Sequence, residues 1–259
     1  MHHSPFFLVV VSWRLGRLTT HIALACVAAC VYPSLSLSMQ RRFMGWWSRA
    51  LLNLLNVTHV SSGQPVLGNE SACLMVANHI SWLDIFALNF ITPAHFVAKS
   101  EVNGWPVLGW LVQRSGTLFV RRSVPSDTVR VNACLAGLLQ QGRAVAVFAQ
   151  GTSSAPEQPV RFHAPLLQSA VAAGAQVQPI AIFYHDRQGL PHAAATFVGD
   201  TSFMQSLWKI VRAPGIQVTV TYLPPMAALG QDRRALAAMA QQAVNARLAQ
   251  HCGQTMGPG

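Results

Sequence analysis

The chain has 259 residues, of which 51% are hydrophobic and only 10% are charged. That balance is too apolar for an ordinary soluble enzyme and too polar for a polytopic membrane protein, so it predicts a globular domain that sits on a membrane. The formal net charge of +10 favours anionic partners. Nucleic acid is not among the expected partners, because the chain has no zinc-finger spacing and no basic run with interleaved aromatic residues.

The five cysteines are an odd count for a set of structural disulfides. Cys26 and Cys30 lie in an apolar segment, and Cys73 and Cys134 fall at predicted core positions. We interpret all of them as reduced thiols, which predicts a domain on the cytoplasmic side of a membrane.

Residues 1–57 are predicted to form an N-terminal helical membrane anchor. No formal charge lies between Arg17 and Arg41, and the intervening residues are mostly Ile, Leu, Ala, Val and Cys. About 20 such residues would cross a hydrocarbon core of ~30 Å, although Pro33 and its neighbouring serines weaken the signal.

A second stretch, 43–57, has an amphipathic pattern with Trp46 and Trp47, which suit a lipid interface. Two arrangements are therefore expected for the anchor. One is a single spanning helix with positive flanks, and the other is a helical hairpin that dips into one leaflet.

Residues 58–252 are predicted to form an α/β domain with a mainly parallel central sheet flanked by helices, followed by a flexible tail at 253–259. Alternating strand and helix patterns support this fold class. The predicted strands lie near 57–60, 72–77, 95–98, 117–121, 144–149, 176–184, 195–199 and 216–222. The predicted helices lie near 83–90, 105–114, 127–141, 165–173, 203–211 and 231–250.

A histidine and an aspartate stand where a predicted strand meets a predicted helix. The apolar run 73–77 is typical of a buried strand, and Asn78 or Ser81 could cap the helix that follows. The carboxyl ends of parallel strands face a crevice, where reactive groups are exposed. Asp84 would fold back onto one nitrogen of His79 and leave the other free to take a proton, so the pair predicts a general base.

Three more segments follow the same loop-after-strand pattern. The stretch that begins at Gly116 ends in Arg121 and Arg122, and the loop 150–154 offers small polar residues. Backbone N–H groups exposed at Gly151 and hydroxyls nearby would make a cradle for phosphate. Pro179 inside a predicted strand indicates a sheet edge, a bulge or a substrate wall.

These four segments, taken in order, resemble the glycerolipid acyltransferase family, which includes bacterial 1-acyl-glycerol-3-phosphate acyltransferases. The matching patterns are Asn-His-x-Ser-x-x-Asp, a Gly-x-x-Phe-Val segment ending in arginine, Phe-x-x-Gly-Thr and Val-x-Pro, and they cover about residues 75–182. Four motifs in order are a specific signal, whereas any one of them would be weak.

The resemblance implies a role for each matching residue. His79 would be the general base and Asp84 would orient it, while Arg121 would hold the phosphate of the acceptor. The substrate pocket would be completed by Asn78, Ser81, Gly116, Gln150, Gly151 and Thr152. N–H groups near the site would stabilise the oxyanion of the intermediate.

The co-substrate implied by the resemblance is acyl-CoA or acyl-carrier protein, with a lysolipid as acceptor and membrane lipids as partners. No cofactor and no metal are expected. The implied location is the bacterial inner membrane, with the catalytic domain on its cytoplasmic side.

The third motif departs from the family pattern. Members usually carry proline and glutamate before Gly-Thr, where this chain has Ala149 and Gln150. Glutamine keeps the size and a carbonyl acceptor but lacks the charge. Two alternatives to a lysophosphatidate acyltransferase therefore stay open: an enzyme that acylates lyso-ornithine lipid, which has no phosphate, and a non-catalytic lipid-binding protein of the same fold.

Overall fold

The computed structural model of the protein describes residues 5–66, 72–121, 123–155 and 158–254. An eight-stranded sheet carries helices on both faces. The strands are β1 Val57–Gly63, β2 Cys73–Ala77, β3 His95–Lys99, β4 Leu118–Val120, β5 Val145–Phe148, β6 Gln176–His185, β7 Ile216–Tyr222 and β8 Met226–Ala227. The helices are α1 Pro5–Val31, α2 Leu37–Leu54, α3 Asp84–Asn89, α4 Leu108–Arg114, α5 Pro125–Gln140, α6 Gln168–Ala173, α7 Phe203–Arg212 and α8 Arg233–Gln254.

The sheet has the order β1-β7-β6-β2-β5-β3-β4, and β8 pairs with β6. The β1–β7, β2–β5, β2–β6, β3–β4 and β3–β5 pairs are parallel, while β6 pairs antiparallel with β7 and β8. The prediction of a mainly parallel sheet flanked by helices is therefore confirmed. The carboxyl ends of β2, β5, β3 and β4 lie along one edge of the sheet, and this edge carries the candidate site.

The N-terminal helices fold back on each other as a hairpin. A short 3-10 turn, Tyr32–Ser34, joins α1 to α2. The rings of His21 and Trp47 contact each other across the two helices, with centroids 3.8 Å apart and planes tilted by 31°. By length and composition, the stretch 9–34 is long and apolar enough to cross a bilayer, and only 11% of that window is buried. The hairpin is docked on the domain, because Arg14 donates two hydrogen bonds to carbonyls at the end of α7.

Two hydrophobic clusters lie on the two faces of the sheet. One contains α2, α3 and α7 side chains packed on β2, β6 and β7, and the other contains side chains of α5, α6 and α8. Because β2 is covered on both faces, its five residues are all buried. The run of apolar residues in its sequence therefore has a direct structural cause.

The predicted strand at 195–199 is wrong. These residues form turns and irregular backbone, and Phe197 donates its N–H to the carbonyl of Ile80 in the loop after β2. The apolar character of the segment comes from packing against this loop, not from pairing within the sheet. One short strand, β8, was not predicted.

Of the three alternatives for Pro179, the sheet edge is wrong, since this residue lies in the central strand β6, while the substrate wall stays a prediction. The Pro179 carbonyl accepts a hydrogen bond from the N–H of Leu223, which lies between β7 and β8. The Pro179 nitrogen, which has no hydrogen to donate, faces the same gap between β7 and β8. At the C-terminus, α8 continues to Gln254, two residues into the predicted tail. Residues 255–259 lie outside the described residues.

Candidate active site

His79 and Asp84 form a hydrogen-bonded pair at the carboxyl end of β2. The strand ends at Ala77 and α3 begins at Asp84, so a tight loop brings the two side chains together. The His79 Nδ1 atom lies 2.7 Å from Asp84 Oδ2. The geometric prediction for this pair is confirmed.

The Asp84 carboxylate also holds the loop that carries His79. Its Oδ2 atom accepts hydrogen bonds from the backbone N–H groups of Ile80, at 2.8 Å, and Ser81, at 3.0 Å. Asp84 is fully buried, whereas the His79 side chain is 22% exposed. A neutral imidazole that donates from Nδ1 to this carboxylate presents Nε2 as the basic nitrogen towards solvent.

Of the two predicted helix caps, Ser81 caps the turn that leads into α3, since its Oγ accepts the N–H of Leu83 at 3.4 Å, whereas Asn78 has another role. Asn78 donates to the carbonyl of Ile182 and accepts from the N–H of the same residue, so its side chain extends the pairing of β2 with β6. The exposed fractions of Asn78 and Ser81 are 2% and 0%. Both residues shape the loop from within, and their contact with substrate stays a prediction.

Gln150 joins the loop after β5 to the loop after β2. Its Oε1 atom accepts the backbone N–H of His79 at 2.5 Å, and its Nε2 donates to Ser154 Oγ at 2.7 Å. The Ser154 N–H in turn donates to the His79 carbonyl at 2.9 Å. The uncharged amide of Gln150 therefore accepts the His79 N–H without a carboxylate. The loop that carries His79 stays intact with glutamine in place of glutamate.

Phe148, the last residue of β5, packs on the imidazole of the candidate base. The two rings are stacked, with centroids 4.2 Å apart and planes inclined by 14°. Asp84 fixes one edge of the imidazole and Phe148 covers one face. The ring of His79 thus has a defined orientation.

The predicted phosphate cradle at 150–154 differs from the observed loop. Gly151 has a φ of +82°, as a tight turn requires, but its N–H donates to the carbonyl of Phe148. Ser153 donates its hydroxyl to the carbonyl of Phe197. Thr152 is the exposed member of the loop, so it is the residue best placed to meet a substrate.

Gly116 lies at the amino ends of the strands, whereas the role that the resemblance implies would need it at the carboxyl ends. It precedes β4 and contacts His95, the first residue of β3, at the amino ends of these strands. His79 lies at the opposite edge. The structure therefore places Gly116 away from His79, and its part in the substrate pocket stays a prediction. In the fold it has a packing role, because a Cβ there would meet the His95 ring at 2.9 Å.

Arg121 follows β4 at the same edge as His79, with β5 and β3 lying between their strands. Its backbone N–H donates to Asp127 Oδ2 at 2.7 Å, while its side chain is 64% exposed. The Arg121 N–H and the Arg130 side chain, which both donate to Asp127, hold the pKa of that carboxyl below its usual range. Arg121 is anchored through its backbone, and its largely exposed guanidinium pairs with the same carboxylate, with Nε 3.7 Å from Asp127 Oδ2. Arg122 lies outside the described residues.

Two residues that were not predicted belong to this region. Lys99 ends β3 at the same edge and is exposed, and a lysine that terminates an apolar strand was the signal available in the sequence. Tyr184 on β6 is buried beside Asp84. Burial, and then the charge and hydrogen bonding of Asp84, raise the pKa of Tyr184 well above its ordinary value.

Within the described part of the chain, no group of three or more His, Cys, Asp or Glu side chains is placed to hold a metal ion. The arrangement instead offers one buried carboxylate, one oriented imidazole and exposed cations two and three strands away. Such a set suits proton abstraction from a hydroxyl next to an anionic or polar group.

Comparisons with known proteins agree with this chemistry. The profile of the family described as Acyltransferase matches residues 56–183. The chain is 39% identical over 210 residues to the lyso-ornithine lipid O-acyltransferase of Pseudomonas aeruginosa, covering 81% of this chain and 80% of that protein. It is 35% identical over 188 residues to the 1-acyl-sn-glycerol-3-phosphate acyltransferase of Neisseria gonorrhoeae, covering 72% and 73%.

A solved structure has the same fold. The 1-acyl-sn-glycerophosphate acyltransferase PlsC from Thermotoga maritima superposes with a TM-score of 0.69 and 20% sequence identity, covering 94% of this chain and 95% of that one. At this identity the likeness concerns the fold alone.

Proposed function

This chain belongs to the acyltransferase family, and we propose that it moves an acyl chain from a thioester to the free hydroxyl of a lysolipid, with His79 as general base. The observation that carries the proposal is the 2.7 Å contact between His79 Nδ1 and Asp84 Oδ2. That contact holds the imidazole in the tautomer whose Nε2 accepts a proton.

The proposed reaction is a direct transfer. His79 Nε2 takes the proton as the acceptor oxygen bonds to the thioester carbonyl carbon, giving a tetrahedral oxyanion. Collapse of this intermediate breaks the carbon–sulfur bond, and the imidazolium returns its proton to the departing thiolate. General base catalysis of this kind contributes roughly 10²- to 10⁴-fold, and positioning adds to it.

Stabilisation of the oxyanion falls to the exposed part of the loop after β5. The N–H groups of Ile80, Ser81 and Gly151 are already bonded within the protein. Thr152 is exposed at the same edge of the sheet as His79. Its hydroxyl and N–H are the groups that we assign to the developing negative charge.

The donor is proposed to be acyl-CoA or acyl-carrier protein, and the first candidate acceptor is 1-acyl-glycerol-3-phosphate. The exposed cations at the carboxyl edge, Arg121 and Lys99, support a phosphate-bearing acceptor because both lie on the side of the sheet that carries His79. The relative from Neisseria gonorrhoeae is named for this acceptor.

Lyso-ornithine lipid is the second candidate acceptor. The relative from Pseudomonas aeruginosa, at 39% identity, is named for it.

Membrane association through the α1–α2 hairpin completes the proposal. The apolar stretch 9–34 is mostly exposed, and exposed Trp46 on α2 suits a lipid interface. Since Arg14 ties α1 to the end of α7, we favour a hairpin held in one leaflet over a freely spanning helix. The proposed location is the inner membrane of a bacterium, with the domain on the cytoplasmic side.

The test is thiol release from an acyl thioester by the purified full chain, with lysophosphatidate and with lyso-ornithine lipid in parallel. We expect acceptor-dependent release that the His79→Ala variant loses by at least about 100-fold, as removal of a general base requires. Circular dichroism of the variant provides the folding control.

The acceptor is identified by comparing Arg121→Ala with the parent chain. A higher KM for lysophosphatidate, with no change for lyso-ornithine lipid, would support a phosphate contact. Full turnover by His79→Ala would refute the base assignment. No release with either acceptor would refute the proposed pair of acceptors.

A further inference from the structure

Large apolar side chains are exposed on the outer face of α7. Met204 and Trp208 stand one helical turn apart and are 67% and 46% exposed, whereas Leu207 and Ile210 of the same helix are buried. The inner face of α7 is therefore packed against the hydrophobic core. Its outer face has no apolar partner among the described residues.

The exposed surface continues beyond α7. The ring of Trp105 lies 5.7 Å from that of Phe203, the first residue of α7, and Val107 is exposed beside it. Trp105, Val107, Met204 and Trp208 are called the α7 patch below. Because α1 packs against both α4 and α7, the patch is continuous with the exposed apolar side of the hairpin.

The helices α4 and α7 that border the α7 patch are basic, while the exposed Glu101 and Asp200 lie in the segments that precede Trp105 and Phe203. The helices α4 and α7 contain no aspartate or glutamate and carry Arg114, Lys209 and Arg212. The Arg212 guanidinium lies 5.5 Å from the centre of the Trp208 ring, as in a cation–π contact. A positive charge therefore lies next to an exposed tryptophan. Tryptophan with adjacent cations suits the head-group region of an anionic bilayer.

We propose that the α7 patch is a second membrane contact, seated on the anionic surface of the same leaflet that receives the α1–α2 hairpin. The patch and the hairpin then form one continuous lipid-facing surface. This broader surface fixes the orientation of the domain on the bilayer, which the hairpin alone does not.

The α7 patch is connected to the catalytic loop. Trp82, which follows Ser81, packs 5.2 Å from Phe203 and donates its Nε1–H to Ser206 Oγ at 3.1 Å. Lipid beneath the patch therefore lies next to the loop that carries His79, and a lysolipid reaches this base by lateral movement within the leaflet. This route rests on the acyl-transfer function proposed above, whereas the membrane contact itself does not.

The contact is tested by labelling single positions with a membrane-impermeant maleimide while the full chain is bound to vesicles of phosphatidylglycerol and phosphatidylethanolamine. Met204→Cys is compared with Val129→Cys, because the parent side chains are 67% and 69% exposed and Val129 lies on α5, in the opposite layer. Peptide mass spectrometry separates the new cysteines from the native ones. We expect labelling at position 204 to be at least tenfold slower than at 129.

Equal labelling rates at the two positions would overturn the proposal. Labelling at position 204 could also be slow in a way that depends on protein concentration and not on the ratio of lipid to protein. That result would assign the patch to contact with a second copy of the chain, and it would overturn the proposal too. This readout needs no substrate, so it stands even if no acyl transfer is found.

A second experiment tests the consequence for the reaction. Met204→Glu with Trp208→Glu is expected to raise the KM for lysolipid in vesicles at least fivefold, while turnover of a short-chain acceptor dissolved in water stays unchanged. The matched control is Val129→Glu with Leu229→Glu, which adds the same charge at exposed apolar positions. Equal KM values for the two double variants would contradict the proposed route, and retained turnover of the soluble acceptor shows that the variants are folded.

Discussion

The Asp84 carboxylate organises the site at the scale of single atoms. One of its oxygens, Oδ2, receives the His79 Nδ1 and two backbone N–H groups. The other, Oδ1, is buried without a hydrogen-bond partner of normal geometry among the described residues. A buried carboxylate with one uncompensated oxygen is sensitive to whatever lies beside it.

The hydroxyl of Tyr184 is that neighbour, and it is itself buried without a partner of normal geometry. We predict that Tyr184→Phe lowers kcat by roughly 3- to 10-fold, because loss of a buried hydroxyl beside the Asp84 carboxylate loosens the group that orients His79. The measurement is the rate of thiol release at saturating substrate.

Tyr222→Phe is the control for that variant. Tyr222 is also buried, at 3% exposure, and its hydroxyl is likewise unpartnered, but its neighbour is Thr92 and not Asp84. The two variants lose the same group from the same hydrophobic cluster. A fall in kcat that is equal in the two variants, or absent from both, would contradict a positioning role for Tyr184.

Gln150 leads to a second prediction at the residue scale. Gln150→Ala removes the acceptor of the His79 N–H and the donor to Ser154, so we expect kcat to fall by at least roughly tenfold, since a misplaced base loses catalytic efficiency steeply. Gln150→Glu keeps the acceptor oxygen, and we expect most of the turnover to be retained. If both variants kept full turnover, the link between the two loops would have no catalytic importance.

At the scale of elements, β1 docks on α3 through a half-buried histidine. The His59 ring stacks on Phe90 at 4.0 Å, and its Nε2–H donates to the Ala87 carbonyl. Burial, opposed by that carbonyl, lowers the pKa of His59 to about 4. The folded chain therefore keeps this imidazole neutral at a pH where the unfolded chain protonates it.

The sign of the pH dependence follows from that difference. The neutral form contributes its full stability above about pH 6.5, and the contribution is lost as the pH falls towards 4. We predict that the free energy of unfolding drops by about 1–2 kcal/mol between pH 7 and pH 5, and that His59→Gln removes much of this drop. Urea unfolding at the two pH values measures it, with His163→Gln as control because His163 is exposed. An unchanged slope in His59→Gln would contradict the assignment.

At the scale of the whole molecule, the attachment of the hairpin depends on Arg14. Its guanidinium donates to the carbonyls of Val211 and Ala213 at 2.8 and 2.9 Å, where the last carbonyls of α7 need donors. We predict that Arg14→Ala destabilises the packing of α1 on the domain by about 1.5–3 kcal/mol. Hydrogen exchange of the α7 amides should accelerate in this variant.

Arg17→Ala is the matched control, since Arg17 is exposed on the same helix one turn later. Exchange of the α7 amides should match the parent chain in this control. Equal protection of α7 in both variants would mean that apolar contacts alone hold the hairpin.

Much of this architecture is determined by the sequence itself. The run Cys73–Ala77 is apolar throughout because β2 is covered on both faces, and alternating elements of this kind specify a mainly parallel sheet. The pairing of His79 with Asp84 could be predicted because both lie within six residues of one strand-to-helix turn. Local geometry alone brings them together.

Only the tertiary structure decided which other residues join them. Gly116 and Arg121 are five residues apart in the sequence, yet they lie at opposite ends of β4. The Asn78 side chain points inward because it forms hydrogen bonds with both the carbonyl and the N–H of Ile182 on β6. Tyr184, Phe148 and Gln150 reach the site from strands that are distant in the sequence. Sequence patterns report which face a residue occupies, whereas strand order, set by packing over the whole chain, determines which strand ends meet.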